Sequence, residues 1–194
     1  IFAFRQSKAA LRSVAQAAES QSDTVRTAAL AALGALGGAK QLPILIAGAL
    51  GGGDAAAAAR QSLVALPGKQ TPRALLDALN SAEDAKIQAL LLEVLAQRGA
   101  AGALPAVFRL AQSESNETRQ AAIAALESLI RPNDIPQATA LLLAAQSAAD
   151  RSGLERAIAA AARKCDSPDQ AAETLKAALK AADVEARGSL LSAL

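Results

Sequence analysis

The chain has no histidine, tryptophan, tyrosine or methionine in its 194 residues, and only one cysteine and three phenylalanines. Each absence removes a class of chemistry. Without histidine there is no everyday general base, no orienting partner for a serine or cysteine nucleophile, and none of the commonest transition-metal ligand. A Ser-Lys dyad has no Ser-x-x-Lys string to build on. Cys165 alone cannot close an internal disulfide, so a reducing and an oxidising compartment remain equally open. The longest apolar stretch, residues 42–53, is broken by Pro43 and a glycine run and stops at Asp54, well short of the roughly 18 residues a membrane span requires. No membrane insertion is expected. A strong charge of either sign is also missing. Lys+Arg number 20 and Asp+Glu 18, with 8 basic and 4 acidic residues in 1–80 and 12 and 14 in 81–194. That balance argues against a general binder of phosphate backbones.

What is present is alanine, 54 residues of it, within a hydrophobic content of 52%. Alanine has the highest helix propensity and the smallest side chain that still restrains the backbone, so the composition predicts an all-α chain whose helix axes approach closely. The chain also repeats itself. Val25-Arg26 opens an amphipathic run with apolar residues at 25, 29, 33 and 36, and Leu42-Pro43 opens a second one, with proline in a first helical turn where its missing N–H costs nothing. Arg26 to Pro43, Gln88 to Pro105 and Arg119 to Pro136 are each 17 residues apart. Anchors at 26, 56, 88, 119, 156 and 187 are spaced by 30, 32, 31, 37 and 31 residues, about one helical hairpin each. Asp23, Asp54, Asp84, Asn116, Ser152 and Asp183 precede the Val-Arg-type helices as expected caps, and Ser152 with Glu155 and Ser167 with Gln170 have capping-box spacing. Gly37-Gly38, Gly51 to Gly53, Pro67-Gly68 and Gly99 mark helix ends that call for left-handed backbone.

The strings Asp23-x-Val25-Arg26-x-Ala28-Ala29-x-x-x-Leu33-Gly34-x-Leu36-Gly37 and Leu42-Pro43-x-Leu45 resemble HEAT repeats of the phycobilisome-lyase type. The resemblance implies a right-handed α-solenoid of about five to six helical hairpins, with Leu-Pro helices outside and Val-Arg helices lining a concave face. The expected repeats are a partial one at 1–20, then 22–50, 54–80, 84–112, 116–147 and 150–181, and a partial one at 183–194, forming a single array. Because one repeat cannot bury its own apolar face and neither end has a polar closing repeat, the array is expected to be a fragment of a longer protein.

Among the candidate reactive groups, each has a structural explanation. The acids Glu83, Asp84, Glu114 and Glu117 suit helix starts, where negative charge meets the positive end of the dipole. Cys165 sits near the repeat position of Leu36 and Leu129 and reads as packed rather than reactive. Arg5, Lys8 and Arg12 share a face and read as solvated, with nothing aromatic between them to stack on a base. On the Val-Arg helices, the positions one, five and eight residues after each anchor should point away from the core, which selects Thr27, Ala31, Gly34, Gln61, Val64, Glu93, Gln120, Glu127 and Lys164. Of these, Thr27, Gln61, Glu93, Gln120, Glu127 and Lys164 are the candidate concave-face binding residues. The resulting expectation is a scaffold, not an enzyme, that takes a protein or peptide partner and needs no cofactor or metal. Two alternatives stand beside it: an accessory domain of a larger enzyme with its catalytic part elsewhere, and a nucleic-acid binder.

Overall fold

The computed structural model describes residues 8–165 together with 167, 169–170, 172–173 and 176–177. Among these residues every regular element is a helix: α1 (Lys8–Ala17), α2 (Asp23–Leu36), α3 (Leu42–Ala49), α4 (Gly53–Ala65), α5 (Thr71–Ser81), α6 (Ala85–Gln97), α7 (Leu104–Leu110), α8 (Asn116–Leu129), α9 (Ile135–Ala144) and α10 (Ala148–Ala162). The even-numbered helices are the Val-Arg type. The odd-numbered ones from α3 onward are the Leu-Pro type, and Pro43, Pro72, Pro105 and Pro136 all stand in a first turn, as the spacing predicts. Three of those helices are entered through a short 3-10 turn, at Ala39–Gln41, Ala101–Ala103 and Pro132–Asp134.

The caps fall partly where expected. Asp84 accepts from the Lys86 and Ile87 amides at 2.7 and 3.2 Å. Ser115, not Asn116, caps α8, and Ser147 caps α10, leaving Ser152 inside the helix rather than at its start. Ser22 and Gly52 hold the N-cap positions of α2 and α4, so Asp23 and Asp54 act from the first turn. Asp183 lies outside the described residues. The Gln170 amide does donate to Ser167 Oγ at 3.2 Å. Gly53, Gly68 and Gly99 have the expected positive φ, at 70°, 113° and 61°. Gly37 and Gly38 are extended instead, because α2 ends with the Gly37 amide turned back to the Leu33 carbonyl at 2.8 Å, a closure that needs no left-handed residue.

The chain divides into two compact units, Ile1–Arg98 and Gly99–Leu194. In the first, α2 packs on α4, α4 on α6, and α3 and α5 cover them around Leu30, Leu33, Leu45, Leu63, Leu75 and Leu91, all buried. The buried stripe of α2 is Ala29, Leu30, Leu33 and Gly34, while Val25 is 46% exposed in the first turn, so the expected row at 25, 29, 33 and 36 is rotated at its start. In the second unit, α8 packs on α7 and α10, and α9 on α10, around Leu126, Ile130, Ile135, Leu154 and Ile158. Helical hairpins joined by first-helix contacts make this an α-solenoid fold.

Candidate functional site

A helix leaves its last carbonyls without backbone donors, and its C-terminus carries the negative end of the dipole. Three arginines and one glutamine supply donors here. Four residues after the N-cap of a first helix, Arg26 donates to the Ser20 carbonyl at 2.9 Å, Gln88 to Ala82 at 2.7 Å, Arg119 to Ser113 at 2.8 Å and Arg151 to Ala145 at 3.1 Å. Each reaches back six residues to close the turn that follows the preceding second helix. The motif position is therefore 26, 56, 88, 119 and 151, with Ala56 the one copy lacking a donor. The anchor expected at 156 is corrected to 151, and the irregular step of 37 becomes 32.

Other cations link one first helix to the next. Arg98 donates to the carbonyls of Leu63, Val64 and Leu66 at the end of α4, with Leu63 at 3.0 Å and Leu66 at 3.1 Å. Arg60 Nε reaches the Ala49 carbonyl at 3.2 Å, and its Nη1 lies 3.4 Å from Glu93 Oε2. In the second unit, Arg156 lies 3.5 Å from Glu127, and Arg119 Nε lies 3.1 Å from Oδ2 of Asp150, which is buried and also accepts from Gln120 Nε2. No buried side-chain nitrogen or oxygen among the described residues is left without a partner.

Against this network the expected binding residues separate. In the first unit Thr27 is half-buried on α2, Gln61 is exposed on α4, and Glu93 is exposed on α6 but paired with Arg60 and held by Gln97 Nε2 at 3.0 Å. Ala31 is exposed, whereas Gly34 is buried: a Cβ there would lie 2.3 Å from Ser62 Oγ and 2.7 Å from Ser62 Cα. Gly34 is thus a close-packing residue rather than part of a groove. In the second unit Glu127 is half-buried and faces Arg156, and Gln120 holds the buried Asp150. Lys164 lies beyond the end of α10, with its ammonium donating to the Ser128 and Ile130 carbonyls at 2.9 Å each. It caps α8 instead of lining a first-helix face, because the corrected register puts Arg156 five residues after the motif position. Cys165 likewise follows α10, half-buried, so it does not occupy the place of Leu36 and Leu129.

Sequence reasoning missed Asp150, Arg98 and Arg60. A signal for the first existed: Ser147-x-x-Asp150 has the capping-box spacing that starts a helix three residues before Asp150. Arg5 lies outside the described residues, and so does the side chain of Lys8, while Arg12 is exposed on α1. The described residues contain no group of three metal-ligating side chains, and none of their helices is long and apolar enough to cross a membrane.

Comparison with known proteins bears on the family. Residues 72–162 match the model for HEAT repeats, a span that runs from α5 through α10. No curated protein matches the chain. Among solved structures it is similar to an engineered protein from the Northeast Structural Genomics Consortium, at 16% identity over 95% of both chains with a TM-score of 0.46. It is also similar to the complex of CpcE and CpcF of phycocyanin lyase from Nostoc sp. PCC7120, at 21% identity over 97% of this chain and 84% of that one, with a TM-score of 0.38. Both scores are low, and neither adds to what the helices themselves show. Residues 72–162 thus match HEAT repeats, and the proline-initiated helix α3 and the motif arginine Arg26 ahead of that span follow the same layout.

Proposed function

We propose that the chain is a non-catalytic scaffold that binds a protein or peptide along the first helices of its repeats. HEAT repeats are typically protein-interaction scaffolds. The observation that carries the reading is the state of the polar side chains on those helices. Arg60 with Glu93 and Arg156 with Glu127 are long pairs, 3.4 and 3.5 Å, and all four side chains are 43% exposed or more. Exposed pairs of this kind contribute only about 0–1 kcal/mol, so a partner's own charged or amide groups can replace either member at little cost. Thr27 on α2 and Gln61 on α4 add neutral polar groups to the first helices. Alternating acid, base and amide favours a peptide or helix of mixed charge over a polyanion.

The test begins with peptides selected on the purified chain from a random display library. Gln61→Arg and Glu127→Gln should each weaken the selected peptide several-fold with little change in melting temperature, since an exposed change usually alters stability by no more than about 0.5 kcal/mol and an exposed ion pair contributes only about 0–1 kcal/mol. Asp77→Arg, on the exposed side of the second helix α5, should do neither. Loss of binding through Asp77 alone would move the functional surface to the other face. Gln120 is unsuited to this test because it holds the buried Asp150.

A further inference from the structure

Four cations of the first unit have partners within it. Arg26, Arg60 and Arg98 bind carbonyls at helix ends, and Arg73 pairs with Asp77. Arg12, Lys40 and Lys69, like Lys86, are exposed without an ion-pair partner among the described residues, and these three, unlike Lys86, line one cleft of about 740 Å³. No carboxylate shares the lining. The floor is apolar, supplied by Leu11, Leu36 and Pro67. The walls are α1 and the two turns that lead into α3 and α5, and those turns are held by their own bonds. The Gly38 amide donates to Gln41 Oε1 at 2.9 Å, and Thr71 Oγ1 donates to the Pro67 carbonyl at 2.6 Å. The three charges therefore stand on a fixed frame around an apolar floor.

We propose that this cleft docks an acidic peptide segment anchored by one apolar side chain. Its lining shares no residue with the first-helix face, so the inference does not rest on the reading above. Charge complementarity selects the occupant: three unpaired cations around an apolar floor leave Coulomb attraction unused and apolar surface wet until a segment with both features arrives. A nucleic acid fits less well, because the lining has no aromatic ring on which a base can stack and the whole chain carries a net charge of only +2. The volume suits a few residues of a partner rather than a whole helix.

The experiment is fluorescence anisotropy on the full chain with labelled Glu-Glu-Leu-Glu-Glu, its Glu-Glu-Gln-Glu-Glu counterpart and a single-stranded oligonucleotide. The leucine peptide should bind, weaken as salt is raised, and bind more tightly than the glutamine peptide. Lys40→Glu and Lys69→Glu should each weaken it about fivefold or more, as reversal of one close charge contact does. Lys86→Glu, an equal charge change at an exposed site on α6, should leave the affinity within about twofold. Circular dichroism melts confirm that the variants remain folded. The proposal is overturned if the leucine peptide does not bind, if Lys86→Glu weakens it as much as the cleft variants, or if the glutamine peptide binds equally well. Tighter binding of the oligonucleotide, lost through the same two lysines, also overturns it and assigns the cleft to nucleic acid.

Discussion

The two units join consecutive first helices by different means. Between α2 and α4 the contact is small and neutral: Gly34 lies against Ser62, whose hydroxyl donates to the Leu30 carbonyl at 2.9 Å, with Ala29, Ala55, Ala56 and Ala59 buried nearby in the same helices. Between α8 and α10 the glycine is on the later helix, Gly153 against Ile123, and beside it Asp150 is buried with Arg119 and Gln120. One interface closes by backbone approach. The other closes around a charge. Both stack one repeat on the next, so what the fold requires is the stacking itself, and the chemistry that achieves it is free to vary from repeat to repeat.

The sharpest way to break this comparison is to remove the charge. Asp150→Ala should destabilise the second unit by about 3 kcal/mol, because deleting one member of a buried pair leaves the other without compensation. Arg119 keeps its bonds to Ser113, Glu114 and Asn116, which holds the cost at the low end of that class. The matched change in the first unit, Ser62→Ala, should cost only about 1 kcal/mol, the net contribution of one neutral hydrogen bond. Amide hydrogen exchange read separately over α4 and α10 measures both. Equal effects would mean that Asp150 is no more than a packing residue.

Next in size is Gly34→Ala. The added carbon would meet Ser62 at its Oγ, Cβ and Cα, at 2.3, 2.4 and 2.7 Å, so α2 and α4 must move apart. Overpacking of this kind costs about 1–3 kcal/mol, and the roughly 1 kcal/mol that alanine gains over glycine in helix propensity offsets part of it. Because the obstacle includes Ser62 Cα, the cost falls in the upper part of that range, and a net loss of about 1–2 kcal/mol is expected by urea denaturation. A neutral result would show that the helices are not held at the distance seen here.

Much of this was legible in the residues, and the failures have physical causes. The helix type followed from alanine, and the hairpin period from three Arg-or-Gln-to-Pro intervals of equal length. The last repeat was misregistered because two strings, Ser147-x-x-Asp150 and Ser152-x-x-Glu155, both have capping spacing five residues apart, and only tertiary contact decides between them. That slip carried Lys164 into the candidate site. Gly34 was placed outward because a glycine has no side chain to reveal a preferred face, and its burial depends on Ser62, 28 residues later. The capping role of Arg98 also escaped, since it lies beyond the end of a helix and binds carbonyls of the preceding hairpin rather than its own.

The smallest effect sharpens the comparison from the other side. In Gly153→Ala the new carbon meets Ile123 Cγ2 at 2.5 Å, and the next neighbours, Ile123 Cβ and an Arg156 nitrogen, are both at 3.8 Å. The obstacle is one methyl group rather than a backbone. Isoleucine is stiff at χ1 within a helix, so the methyl cannot simply swing away, and a cost of about 1 kcal/mol remains after the helix-propensity gain. Moving the branch point should relieve it. Ile123→Leu takes the methyl off Cβ, and the double variant should therefore be more stable than the two single losses predict, by about 0.5–1 kcal/mol of coupling. No side-chain change rescues Gly34→Ala in the same way, because Ser62 Cα stays in place under any replacement of that residue. A double-mutant cycle in urea distinguishes the two glycines: coupling at Gly153 without equivalent rescue by Ser62→Gly at Gly34 shows a side-chain lock in one interface and a backbone lock in the other. Full rescue at both sites would reduce the contrast between the interfaces to the buried Asp150 alone.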